Sequence, residues 1–236
     1  AKFFHDSAEQ TVQTIGEKMP NATITGESNI VGLNSENLKT GEGAWILNGQ
    51  HSTGAWGQQL GTDDYPMLGD YKVIKAAKGD NNTYWATFSN QNADATLLVP
   101  SPRNLNVYNA TVSNGTMTLS ERTDNQVARG EGVLLKTDGE YVNAKANKTN
   151  GLTKVEYANN NLVATPSTAK TITADEGYTL YRLTYNNVST QDKLGFYLSL
   201  VKDEDDKVDE TSLGKKLKAT PGKAYLKVST GAATNT

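Results

Sequence analysis

From Thr83 to the C-terminus, short hydrophobic segments alternate with polar turns along the chain. Turn residues such as Asn, Gly and Pro recur roughly every eight to twelve residues, a spacing typical of β-sandwiches and related all-β domains. The pattern therefore predicts a mainly β protein with a sandwich-like all-β domain over residues 78–236. The predicted strands read TYWATFS, ATLLVP, LNVYNATVS, TMTLSER, GVLLKT, TKVEYA, YTLYRLTY, LGFYLSLV and KAYLKVS.

The first of these strands, TYWATFS, alternates clearly between two kinds of side chain. Successive side chains point to opposite faces of a strand, so Tyr84, Ala86 and Phe88 share one face. Trp85 and Thr87 share the other face. Two interpretations of Trp85 follow: it packs between two parts of the protein, or it contacts a ligand or partner from an exposed surface.

Residues 1–77 read differently and predict a small separate module. Short β-prone pieces at residues 3–5, 22–25 and 29–33 are separated by turn residues. The segment KAAKGDNNT has no periodicity and many turn residues, which places the boundary of the module near Lys78.

One short helix is predicted inside this module. Ser35 is a candidate N-cap, and Gly49 is a candidate for the position just after the helix ends. Leu38 and Trp45 are seven residues apart, so their side chains lie on one face of that helix. Gly41 weakens the helix, because an internal glycine costs about 1 kcal/mol relative to alanine.

Composition narrows the classes of function. The apolar fraction is 36% and the net charge is −3, so the basic surface typical of a nucleic-acid-binding protein is not expected. No apolar run is long enough for a transmembrane segment. The absence of cysteine excludes thiol catalysis and cysteine-ligated metals. No signal peptide is visible at Ala1, and we expect a mature or truncated chain.

Aromatic residues are the main candidates for binding. Trp45 and Trp56 suit either a sugar platform or a buried structural anchor, and the apolar neighbours of Trp45 favour the anchor. A sugar platform needs at least two exposed, roughly coplanar aromatic rings. The candidates for such a platform are Trp85 together with Tyr108 or Tyr141.

Polar side chains give little indication of catalysis. The acidic run at residues 203–210 could offer oxygen ligands to calcium, but the loop spacing of an EF-hand is absent, which favours a solvated loop. His5 and His51 are the two histidines, and nothing in the sequence indicates that they converge. No nucleophile, zinc or phosphate-loop motif occurs. We therefore expect neither an enzyme, nor a cofactor, nor a bound metal.

Two segments resemble a known family. SENLKTGEGAWILNG and AWGQQLGTDDYPML are similar to a segment that closes GLUG-type or leucine-rich repeat arrays in secreted and surface proteins of Bacteroides-type bacteria. Gly43 departs from the family pattern, where a larger apolar residue is usual. The strands TYWATFS, GVLLK and GKAYL resemble the C-terminal β domain of such proteins. The matching positions of the closing segment are Gly41, Glu42, Leu47, Asn48, Gly49, Trp56, Gln58, Gly61, Thr62, Asp63, Pro66 and Leu68.

The resemblance implies a repeat-capping module over residues 1–77, with Trp45, Trp56 and Pro66 as structural cap residues. It also implies an extracellular or outer-membrane-surface location and no transferable catalytic residues. The function it favours is adhesion to host or environmental material, with a glycan or a host surface protein as partner. Two alternatives stay open: a carbohydrate-binding module of a polysaccharide-utilising system, and a structural spacer without a ligand.

Overall fold

A computed structural model of the chain describes residues 3–6, 30–33, 35–91, 96–99, 104–146, 159–185, 193–202 and 209–233. In these ranges the protein consists mainly of β-strands with three short α-helices, which confirms the predicted mainly β class. The predicted strands at residues 22–25 and 153–158, and most of the acidic run 203–210, lie outside the described residues.

The N-terminal module begins with two strands and two helices. β1 (Phe3–Asp6) pairs in parallel with β2 (Ile30–Leu33). α1 (Ser35–Lys39) and α2 (Glu42–Leu47) follow, so the prediction of one continuous helix is wrong. The break lies at Gly41, whose φ of 96° is left-handed and therefore outside the helical region.

Gly41 is required by space as well as by its backbone angle. A Cβ atom at residue 41 would lie 2.9 Å from side-chain atoms of both Leu60 and Val73. At the other end of α2, Gln50 N–H donates to the Trp45 carbonyl and Gly49 N–H donates to that of Ile46. This is a Schellman motif, and it confirms the predicted position of Gly49 after the helix.

A four-stranded and a five-stranded sheet form a sandwich after a short pair of strands. β3 (Trp56–Gly57) pairs with β4 (Met67–Leu68). Every strand pairing inside sheets 1 and 2 is antiparallel. Sheet 1 has the order β11 (Gln126–Val127), β8 (Thr96–Val99), β13 (Tyr141–Ala146) and β5 (Tyr71–Lys75). Sheet 2 has the order β10 (Thr116–Arg122), β9 (Leu105–Ser113), β12 (Gly132–Thr137), β7 (Tyr84–Ser89) and β6 (Ala77–Lys78).

A four-stranded and a two-stranded sheet complete the fold. A 3-10 helix (Glu210–Ser212) precedes the last strands, and α3 (Thr230–Ala233) follows them. Sheet 3 has the order β14 (Leu162–Ala164), β19 (Ala224–Ser229), β16 (Tyr178–Tyr185) and β17 (Leu194–Leu198). Sheet 4 pairs β15 (Thr171–Thr173) with β18 (Lys216–Lys218).

The four sheets stack in numerical order, and sheet 2 is covered on both faces. On β12, Val133 and Leu135 face the core shared with sheet 1, whereas Leu134 faces the core shared with sheet 3. Leu180 of β16 faces sheet 4. Because side chains alternate between the two faces of each strand, the strands of sheet 2 contribute to two separate apolar layers. Leu135, in the layer shared with sheet 1, is completely buried.

The N-terminal module covers the outer face of sheet 1. Trp45 packs with Leu60, Val73 and Tyr141 in one buried cluster. The predicted boundary between residues 77 and 78 falls inside β6. β5 lies before this boundary and β13 lies after it, and the two strands pair with each other. The division into two units stays a prediction, and the structure shows close packing across it.

Asn143 of β13 joins the module to sheet 1 by hydrogen bonds. Its side-chain Oδ1 accepts from Leu60 N–H at 2.8 Å, and its Nδ2 donates to the Gln58 carbonyl at 2.7 Å. Replacing Asn143 by alanine is expected to lower the free energy of unfolding by about 2–3 kcal/mol, because both backbone groups lose a buried partner. Urea unfolding measures the loss, and a change below 0.5 kcal/mol contradicts it.

Candidate functional site

The candidate site is built around Trp85 on β7. Ala86 and Phe88 point into the core between sheets 1 and 2, with Tyr84 packed against it, as the alternation predicts. Trp85 points to the opposite face and packs against the layer between sheets 2 and 3. Its ring centroid lies 6.2 Å from that of Tyr108, with the planes tilted by 36°. The two rings are neighbours, but they do not form a flat platform.

A groove opens beside the Trp85 ring, and we call it the Trp85 groove. It has a volume of about 450 Å³ and runs between sheet 2 and β17. Its wall is mainly apolar, while the turn at residues 79–83 and Lys136 supply polar groups. The principal apolar side chains are Trp85, Met117, Leu119, Leu183, Leu194 and Phe196.

The turn at residues 79–83 fixes the indole of Trp85 at one side of the groove. Gly79 N–H donates to the Thr83 carbonyl at 2.7 Å, which closes the turn. The Thr83 hydroxyl donates to the Asp80 carbonyl at 2.6 Å and accepts from Trp85 Nε1 at 3.3 Å. The polar edge of the ring is therefore bonded inside the protein, and the apolar part borders the groove.

Lys136 brings a positive charge to the same ring. It lies directly opposite Trp85 on β12, and its Nζ is 5.5 Å from the ring centroid. This distance is within the range of a cation–π contact. A ligand in the Trp85 groove thus meets an apolar wall and an ammonium group at one place.

Two smaller cavities adjoin the Trp85 groove. The connecting pocket, of about 170 Å³, shares Trp85 and Leu183 with the groove. The Lys223 pocket, of about 200 Å³, shares Thr87, Leu183 and Lys223 with the connecting pocket. Leu183 lines all three cavities, so they adjoin one another beside β7 and β16, and we call them together the cleft.

Lys223 stands just before β19, between the connecting pocket and the Lys223 pocket. Its backbone carbonyl accepts from the Thr165 hydroxyl at 2.7 Å and from Thr165 N–H at 3.0 Å, which holds the backbone in place. Its Nζ lies 6.0 Å from the Trp45 ring centroid. Burial lowers the pKa of the Lys223 ammonium below its usual range, because the charged form loses hydration.

The predicted ligand residues are only partly brought together. Trp85 and Tyr108 are neighbours, whereas Tyr141 is buried on the far side of sheet 1 beneath the N-terminal module. Burial raises the pKa of the Tyr141 hydroxyl, although Lys75 acts in the opposite direction. Tyr141 therefore has no part in the cleft.

The three predicted cap residues lie in the N-terminal module. Trp45 is buried, and Trp56 is half-buried with its backbone N–H donating to Asn48 Oδ1 at 3.0 Å. Pro66 lies against α2, where a Cβ atom at residue 43 would be 2.8 Å from its Cγ. The glycine at position 43, which departs from the family pattern, is thus the residue that leaves room for this proline.

Other candidate groups contribute no site in the described ranges. His51 lies in a loop with its Nδ1 3.0 Å from the Thr53 hydroxyl. Among the residues that the structure describes, no three His, Asp or Glu side chains are arranged to hold a metal ion. The described helices include none with the length and apolar character to cross a membrane.

Comparison with known proteins adds no assignment: no family model, curated protein or solved structure matches this chain. The resemblance to Bacteroides-type surface proteins therefore stays a prediction. The cleft itself was only partly visible in the sequence. The pattern indicated Trp85, but it gave no signal for Phe196 or Lys223, whose places depend on how sheet 3 packs on sheet 2.

Proposed function

We propose that this protein is a non-enzymatic surface interaction module that attaches to glycan-bearing host or environmental material through the cleft. The observation that carries this proposal is the Trp85 groove. An apolar wall with an aromatic ring, combined with a few polar groups at one end, is typical of sites that bind small organic ligands. A sugar ring offers both an apolar C–H face and a rim of hydroxyls to such a wall.

The groups around the cleft support binding rather than catalysis. Among the described residues that line the three cavities, Asp80 is the one carboxylate. Glycoside hydrolysis generally uses two carboxylates that flank the scissile bond. The described lining also holds no histidine that could act as a general base. The proposed module therefore holds its ligand without changing it.

The proposed location is the cell surface or the extracellular medium. This part of the proposal rests on the resemblance of the N-terminal module to repeat-closing segments, and the lack of cysteine is compatible with it. In this arrangement the N-terminal module closes the end of an upstream repeat region, with Trp45 holding the module to sheet 1 and bordering the connecting pocket.

Removing the indole is expected to abolish most of the binding. In an array of plant, mucin and bacterial glycans, we expect saturable binding by the unchanged protein. Trp85→Ala should raise the Kd at least tenfold, which corresponds to about 1.4 kcal/mol. Trp85→Phe keeps an aromatic ring and should give an intermediate Kd. Isothermal titration calorimetry with the best glycan measures all three proteins.

The control for this experiment is Tyr65→Ala. Tyr65 is 61% exposed and lies outside the three cavities, so its loss should leave the Kd unchanged. Thermal unfolding of each variant shows whether the fold is intact. If Tyr65→Ala and Trp85→Ala weaken binding equally, the cleft is not the binding surface. If no glycan binds to the unchanged protein, the proposal is wrong and the structural spacer becomes the better interpretation.

A further inference from the structure

The Lys223 pocket carries an unusual excess of positive charge. Three cationic side chains line it, and the described lining contains no carboxylate to balance them. The cations are Lys223, Arg182 and Lys218, and four threonines line the pocket as well. A concave site lined by charges of one sign concentrates the electric field inside it and attracts ions of the opposite sign.

The ammonium of Lys223 is the central feature of this pocket. Within the described part of the chain, its Nζ has no hydrogen bond and no ion pair, and its contact is the face of Trp45 at 6.0 Å. A partly buried charge without a counter-ion is unfavourable, because it loses hydration and gains no hydrogen bond. An anion in the Lys223 pocket would supply the missing partner.

Arg182 and Lys218 extend the positive surface to the mouth of the pocket. Both side chains are exposed, and neither has an ion pair in the described ranges. Arg182 lies on β16 and Lys218 ends β18, so two sheets contribute charges to one cavity. A guanidinium can bind a carboxylate or sulfate through two parallel hydrogen bonds.

The rest of the protein limits which anion fits. The net charge of the chain is −3, so a ligand with a charge on every unit, such as a nucleic acid, is repelled by most of the surface. The volume of about 200 Å³ equals the share of about six or seven water molecules in the liquid, enough for one anionic group and part of a ring. A single acidic group on an otherwise neutral ligand matches this arrangement.

We propose that the Lys223 pocket binds the carboxylate or sulfate group of an acidic sugar residue, while the adjoining Trp85 groove holds the neighbouring, uncharged part of the same glycan. This inference rests on the proposed function and deepens it, since it names the class of glycan. Lys223 and Arg182 contact the anion, and Trp85 contacts the sugar ring. The Thr165 hydroxyl already donates to the Lys223 carbonyl, and the hydroxyls of Thr184 and Thr220 donate hydrogen bonds to the remaining oxygens.

The test compares matched acidic and neutral ligands. The probes are a galactose tetramer that ends in one galacturonic acid residue, its carboxyl-reduced all-galactose counterpart, and the same galactose tetramer with one terminal sulfate, each titrated against the unchanged protein. We expect at least one acidic probe to bind tenfold or more tightly than the neutral probe. Lys223→Met should remove this preference and leave the Kd for the neutral probe within twofold, because methionine keeps the length and apolar stem of the lysine.

Two further variants make the result specific. Lys215→Met is the matched control, since Lys215 is exposed and lines none of the three cavities, and it should preserve the preference. Arg182→Gln changes an exposed side chain and should weaken acidic probes alone, at least threefold, even if Lys223→Met folds poorly. A carboxylate-only or sulfate-only preference supports the inference and identifies the anion.

The failure of this inference can be separated from the failure of the proposed function. Equal binding of acidic and neutral probes, unaffected by Lys223→Met but weakened by Trp85→Ala, overturns the inference and leaves the proposed function standing. No binding of any glycan overturns both. Tighter binding of a single-stranded oligonucleotide than of any acidic glycan also overturns the inference, because the preferred anion is then the phosphate of a nucleic acid and not the acidic group of a sugar.

Discussion

Replacing Trp45 by alanine is expected to lower the free energy of unfolding by about 3–5 kcal/mol, the usual range for a buried tryptophan. The side chain is 7% exposed and joins α2 to Leu60, Val73 and Tyr141. Its loss would leave a cavity where the N-terminal module meets sheet 1. Chemical denaturation followed by circular dichroism measures the change.

Trp56 provides a matched comparison for Trp45. It lies in the same module but is only half-buried on the two-residue strand β3. Trp56→Ala should therefore cost less than half as much as Trp45→Ala, because less apolar area leaves water on folding. A loss below 1 kcal/mol for Trp45→Ala would falsify the assignment of this residue to the core between module and sheet.

Glu131→Ala is expected to lower the free energy of unfolding by about 3 kcal/mol, because it leaves a buried cation short of a partner. The Arg122 side chain is almost fully buried, and its Nη1 and Nη2 both donate to Glu131 Oε2 at 3.2 Å. The same oxygen accepts from Ala128 N–H at 2.9 Å. Asp124 remains 3.6 Å from Arg122 Nε, which keeps the expected loss at the lower end of the range for broken buried pairs.

The double variant Arg122→Met with Glu131→Leu distinguishes a lost charge pair from lost packing. Replacing both partners by apolar groups of similar size removes the buried cation and leaves Asp124 as a carboxylate without its ion pair, so part of the stability should return. Glu121→Ala is the surface control, since this exposed carboxylate on β10 accepts from Asn106 and should cost under 1 kcal/mol. If the double variant is less stable than Glu131→Ala, the buried charge is not the cause of the loss.

Local features of the fold were predictable because they depend on near neighbours in the sequence. The faces of Trp85 and Phe88 follow from the period of two along a strand. The position of Gly49 after α2 follows from the preference of glycine for left-handed backbone at helix ends. The break at Gly41 was not predicted, because the decisive contacts come from Leu60 and Val73, which are distant in sequence.

The arrangement of the sheets could not be predicted, because strand order depends on contacts between distant segments. Tyr141 illustrates this limit: its aromatic ring suited a ligand platform, but β13 pairs with β5 and turns the ring beneath the N-terminal module. Lys223 is the opposite case, a residue of the cleft that the sequence did not indicate. It stands in an ordinary turn sequence, and only the meeting of β7, β16 and β19 around it creates a half-buried ammonium.

The most direct test of the proposed binding site is a crystal structure of the protein with a bound acidic oligosaccharide. We expect electron density along the cleft, with a sugar ring against Trp85 and an anionic group within hydrogen-bond distance of Lys223 Nζ. Density for the oligosaccharide on another surface, with the cleft free of it, would contradict the claim that this cleft is the binding site.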